Sequence, residues 1–197
     1  RHGAGAIDEL ALGRLRVEDV PHLVRDLGAL TEALGAPIGM VLGADLLLRL
    51  DATLDGPGRR LQLRAAPGPP PPADATTAPL LTVTGSFLAV PARIAAARAW
   101  LTVDSSGAFP LALVPDAGDA LGLEAARWEP LGRGIRALAV ELRTGSLRIE
   151  GVPLLRGVLD AGHARAVGGP VAGSIGWGLL RGLRTRFHAP SRQLVFE

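Results

Sequence analysis

The chain has no cysteine, lysine, tyrosine or asparagine. Without cysteine there can be no disulfide and no thiolate metal ligand, and the redox compartment stays open. Without lysine, all 21 basic residues are arginine, which keeps its charge at any ordinary pH. The high isoelectric point follows from that choice of base, since the net charge is only +2. The missing residue types read as codon bias in a GC-rich bacterial genome. No apolar run approaches the roughly 18 residues of a membrane span, so none is expected. No leader peptide is visible, but the chain opens on Arg1 inside a repeated pattern and reads as a fragment or processed piece. A nucleic-acid partner is not expected either, because such proteins concentrate their bases on one face. The one grouping that qualifies is Arg181, Arg184, Arg186 and Arg192. There Arg184 and Arg186 alternate with Thr185 and Phe187, as on the solvated side of a half-buried strand.

What is present is a pattern of about 50 residues that occurs twice. Gly13-Arg-Leu-Arg-Val-Glu-Asp-Val-Pro21 matches Gly145-Ser-Leu-Arg-Ile-Glu-Gly-Val-Pro153. Val41-Leu42-Gly43 matches Ser174-Ile175-Gly176, and Leu46–Leu50 matches Leu179–Leu183. Pro57, Arg59, Leu61 and Leu63 match Pro190, Arg192, Leu194 and Phe196. The offset from Pro57 to Pro190 is one position longer than that from Gly13 to Gly145, so the match carries about one single-position indel. Two homologous lobes are expected.

Short strands with glycine and proline punctuation predict an all-β protein with a few small helices. In the first unit, strands are expected over 6–12, 14–18, 20–25 and 59–64, and short helices over 26–34 and 43–50. In the second, strands are expected over 87–94, 99–104, 137–143, 146–150, 152–156, 184–188 and 192–196, with a helix over 115–121. Between the units, Ala65–Pro79 is rich in prolines that cannot donate to a sheet ladder, and it predicts an exposed linker. A polyproline ligand for another domain is a lesser reading of it.

The second unit has a head that the first lacks: Trp100-Leu-Thr-Val-Asp104-Ser-Ser-Gly-Ala108, then Leu111–Pro115, then Ala120-Leu-Gly-Leu123. An apolar strand ending in Asp-Ser, then small residues, then Leu-Gly-Leu, resembles the active-site segment of the retropepsin-like and pepsin-like aspartic peptidases. The resemblance spans nearly the whole chain. It implies closed-barrel lobes: residues 1–64 as the C-terminal half of a first lobe, 65–79 as the linker, and 80–197 as a complete second lobe.

The same resemblance implies a catalytic Asp104, a supporting loop of Ser105, Ser106 and Gly107, and a flap tipped by Gly132, Arg133 and Gly134. It places the hydrophobic-Gly segments Val41, Leu42, Gly43 and Ile175, Gly176 behind the active-site loops. It implies hydrolysis of a peptide or protein substrate by water activated between two carboxylates that share a proton, with no cofactor and no metal. The second carboxylate would come from another lobe, upstream in the same chain or in a second copy. The setting implied is the cell envelope or the secreted space. Two residues depart from the family pattern: Ser106 stands where it has glycine, and the glycine comes one place later, at Gly107.

Read without the resemblance, Asp104 before Ser-Ser-Gly is an ordinary turn former. The alternative to a peptidase is accordingly a non-catalytic peptide-binding or structural β-domain of the envelope. Other signals come to nothing. Ala172 stands where the first glycine of a nucleophile elbow around Ser174 is needed. His2, His22, His163 and His188 lack the pairing of metal ligands. Gly132-Arg-Gly134 lacks the third glycine of a dinucleotide fingerprint.

Overall fold

A computed structural model describes residues 3–83, 87–168 and 170–197. The first unit runs β1 (Gly3–Leu12), β2 (Leu15–Val24), α1 (Gly28–Leu34), α2 (Ala44–Leu47), β3 (Leu50–Asp55) and β4 (Arg60–Ala65). Then come β5 (Thr76–Pro79), β6 (Leu81–Val83), β7 (Phe87–Ile94), β8 (Ala97–Asp104), β9 (Leu111–Leu113) and α3 (Ala117–Ala120). The chain continues through β10 (Glu129–Gly132), β11 (Ile135–Thr144), β12 (Leu147–Arg156), α4 (Ala161–Val167), β13 (Val171–Gly176) and α5 (Trp177–Leu180). It ends in β14 (Arg184–His188) and β15 (Gln193–Phe196).

Strands β7, β8, β13, β9, β12 and β11 pair in that order, and β11 pairs back onto β7, which closes a six-stranded barrel. Closure removes free edges, and alternate residues fill the interior. Val90, Ile94, Leu101, Leu111, Leu142 and Leu154 are fully buried there. The expected closed-barrel, all-β class is what the chain adopts. A second sheet, in the order β4-β3-β14-β15-β5, carries strands of both units.

The two sequence copies have matching elements. At the offset that relates Gly13 to Gly145, the bounds of β1 and β2 coincide with those of β11 and β12. At the offset that relates Pro57 to Pro190, one position longer, the bounds of α1 and α2 coincide with those of α4 and α5. Left-handed residues recur at the same places: Gly13 with Gly145, Asp19 with Gly151, Gly35 with Gly168, and Arg59 with Arg192. The surroundings differ. In the barrel, β11 is flanked by β7 and β12 by β9, whereas β1 and β2 pair only with each other among the described residues. Their hairpin packs a small core of Val17, Val20, Leu46 and Leu50, and leaves Leu23 and Val24 exposed.

Several local expectations change. The breaks expected inside 15–24 and 147–156 are single left-handed residues, Asp19 and Gly151, within continuous strands. Helices α2 and α3 are single turns, shorter than expected. Helix α4 had no apolar period to reveal it; Asp160 caps it, accepting the His163 N–H at 2.9 Å, and Gly168 ends it. The linker is not exposed throughout: Thr76–Pro79 adds to β15 as an edge strand, and Ala78 is completely buried. Near its other end, the Pro69 carbonyl accepts from Arg186.

Arg186 itself corrects the solvated-face reading. β14 is the central strand of its sheet, and both of its faces are covered, since Thr185, Arg186, Phe187 and His188 are all buried. Arg186 lies diagonally across from Asp51 on β3 and binds it with two hydrogen bonds of 2.7 Å. The side chains of Arg186 and Asp51 are 6% and 1% exposed. The carboxylate beside it, as the largest influence, raises the Arg186 guanidinium above its ordinary value.

Asp51→Ala should leave a buried charge without its partner and lower the unfolding free energy by about 3–5 kcal/mol. The double replacement Asp51→Leu with Arg186→Met should recover most of that loss, as read from urea melts. At α4, the N–H groups of His163 and Gly162 hold the Asp160 carboxyl below its usual value. A depressed carboxyl stabilises the fold above its ordinary titration range, and that contribution is lost as pH falls through the depressed value. Asp160→Asn should therefore flatten the acid limb of a thermal-stability profile.

Candidate active site

Strand β8 carries an apolar sequence into the barrel wall and emerges at Asp104. Parallel to it, β13 sets Ser174 beside Thr102, Ile175 beside Val103 and Gly176 beside Asp104. The chain leaves Asp104, turns through Ser105–Pro110 and returns as β9 on the other side of β13. Gly176 thus lies behind the loop, level with its first residue.

The loop is fixed through the start of α5. The first amides of a helix have no partner within it. Here the N–H groups of Gly176, Trp177 and Gly178 donate to the carbonyls of Pro110, Gly107 and Phe109, at 3.0, 2.6 and 3.0 Å. That fit leaves no room for a side chain at position 176. A Cβ there would overlap the Phe109 carbonyl oxygen and lie 2.7 Å from that of Gly107. The need is spatial, because Gly176 has φ −101°, open to any residue.

Asp104 is half-buried, while Ser105 and Ser106 are exposed. Its Oδ1 accepts the Ser106 N–H at 2.9 Å and the Ser106 hydroxyl at 2.6 Å. Its carbonyl accepts the Gly107 N–H at 3.3 Å. Oδ2 takes no hydrogen bond among the described residues. Asp104, Ser105, Ser106, Gly107, Ile175 and Gly176 therefore form one cluster.

Gly132, Arg133 and Gly134 form an exposed hairpin tip between β10 and β11, with φ of 88°, 51° and 76°. Val41, Leu42 and Gly43 lie outside any strand, and Val41 is exposed. A Cβ on Gly43 would meet only the Asp45 side chain, so no loop backbone stands against it as at Gly176. A cavity of about 1130 Å³ opens near the far end of β8, around Trp100, and Asp104 does not line it. Sequence reasoning missed Phe109, Pro110 and Trp177 as the groups that fix the loop. Their backbone atoms do that work, so side-chain identity gave little signal. Among the described residues, no three His, Asp or Glu side chains converge as metal ligands.

No protein-family model matches the chain, and no curated protein matches its sequence. Solved structures do match. An aspartic proteinase from Irpex lacteus is 12% identical with a TM-score of 0.53, over 95% of this chain and 75% of its own. A retropepsin-like aspartic protease from Rickettsia conorii is also 12% identical, with a TM-score of 0.45, over 62% of this chain and 90% of its own. The chain has the fold of the aspartic proteinases.

Gly176→Ala should destabilise the protein by about 1–3 kcal/mol, since the new methyl would overlap backbone oxygens of the loop that cannot move aside like a side chain. Gly43→Ala should be close to neutral, because only a flexible side chain has to move. Equal costs in chemical denaturation would separate Gly176 from the role described.

Proposed function

We propose that the chain is part of an aspartic-type endopeptidase in which Asp104 is one of two carboxylates that activate water. The observation that carries this reading is the setting of Asp104. It ends a buried strand, on a loop whose carbonyls are held by the amides of Gly176, Trp177 and Gly178, within an aspartic-proteinase fold. A loop held at so many points keeps its carboxylate in place while bonds change, which general acid–base catalysis requires.

On this reading the deprotonated member of the pair takes a proton from water as it attacks the peptide carbonyl. The protonated member donates to the carbonyl oxygen. Two carboxylates this close share a proton because like charges disfavour double ionisation. The second carboxylate belongs to another lobe, in the same polypeptide or in a second copy. The units are then residues 1–64, the connecting 65–79 and the lobe 80–197. The hairpin tip at Gly132–Gly134 is the segment that closes over a peptide substrate.

A second reading rests on Ser106. Its amide and hydroxyl both occupy Oδ1 of Asp104, which makes the carboxylate a turn-forming group in a non-catalytic β-domain. Substitutions in the protein with both lobes present distinguish the two. As a peptidase it should cleave peptides fastest at acidic pH. Asp104→Asn should lower kcat by a factor of about 10³ or more with little change in stability, and Ser106→Gly should keep or raise activity. Cleavage by Asp104→Asn at the parent rate would sink the peptidase reading, and the turn-forming role would stand.

A further inference from the structure

Four arginines lie in register across four neighbouring strands. Arg98 on β8 is directly opposite Arg93 on β7, Arg93 is opposite Arg143 on β11, and Arg143 is opposite Arg148 on β12. Residues paired in this way point to the same face of a sheet, at strand spacings of about 4.8 Å, and like charges so placed destabilise it. The row is invisible in sequence, because its members are scattered between Arg93 and Arg148 and only strand pairing aligns them.

Half of the row is neutralised. Glu141 pairs with Arg143 and with Arg148, and Glu150 pairs with Arg148. Arg93 and Arg98 have no ion-pair partner among the described residues; Arg93 donates only to the carbonyl of Ala96.

Arg93 and Arg98 both border the cavity of about 1130 Å³. Its walls include Trp100, Val114, Leu121 and Val171, and Asp116 is the one acidic residue lining it among the described residues. Pro79, Pro91, Pro115 and Pro170 also line it. Prolines carry no N–H, so an extended peptide would find few backbone donors there. An alkyl chain needs none. The opposed pair calls for one anionic group between its members, which two guanidinium forks suit well.

The geometry points to a binding site for a single-chain alkyl carboxylate, its head group between Arg93 and Arg98 and its chain in the cavity. The site is independent of the peptidase reading. Arg98 and Asp104 stand near opposite ends of one extended strand, roughly 20 Å apart.

Dodecanoate below its micellar concentration is the probe, followed by calorimetric titration of the purified chain in low salt. One saturable site is expected. Acetate, which lacks the chain, and dodecanol, which lacks the charge, should each bind at least tenfold more weakly. Arg93→Gln with Arg98→Gln should weaken dodecanoate at least tenfold. The same double variant should melt no lower than the parent, because it removes a like-charge opposition. That combination separates a ligand site from a structural role. The proposal is overturned if dodecanoate shows no saturable binding, if dodecanol binds as tightly, or if the double variant binds as the parent does. It is also overturned if phosphatidylglycerol vesicles bind while dodecanoate does not, which would make the row a membrane-surface contact.

Discussion

The pairing of β3 with β14 is the seam on which the two units depend. It puts strands from the first and last parts of the chain side by side, and β4, β15 and β5 extend the sheet outward. Polar side chains lie within the seam. Asp51 and Arg186 are removed from water there, and their mutual fork of hydrogen bonds offsets much of that burial. The Pro-rich segment completes the enclosure, with the carbonyl of Pro69 on the Arg186 guanidinium and Gly68 close against the Asp51 carboxylate. A stretch with few hydrogen-bonding groups to offer is thus useful as a cover, since it leaves few of its own unsatisfied.

The Asp104 loop is governed by a different constraint, the orphan amides at the start of α5. The carbonyls that satisfy them belong to the loop, so helix and loop hold each other. At the matching segment of the first unit, no loop backbone stands against Gly43 among the described residues. Val41 is exposed and Gly43 has open space apart from one side chain, although the same hydrophobic-Gly pattern is present. The motif supplies the room, and a loop in front of it supplies the order.

Much of the architecture was legible because it rests on periodicity and repetition. The repeat located both hairpins and the closing strands β4 and β15, and Gly13, Gly35 and Gly145 marked turns or helix ends that are left-handed in the structure, while β3, the counterpart of β14, was not read as a strand. The Asp104 loop and the Ile175-Gly176 segment were legible as motifs. What stayed hidden depends on long-range pairing. Alternation alone could not tell that β14 is covered on both faces, so Arg186 read as solvated. The proline content of residues 65–79 spoke against a strand, yet Thr76–Pro79 succeeds as an edge, where a missing N–H can face outward. The arginine row exists only once four strands are aligned.

The register of the seam has a consequence for assembly. Thr53 and Arg186 face each other across it, and they are related by the same offset that carries α1 onto α4. They are therefore the same position in the two units, meeting on a local twofold axis. In a dimer of identical units, any residue at that position would have to face itself. An arginine there would bring two buried cations together, with Arg184 rather than Asp51 at the matching diagonal site. Only units of different sequence, as in one continuous chain, can set a threonine against the arginine and place an aspartate on one side alone. The buried ion pair thus favours one pairing of unlike halves over self-association through the same strands.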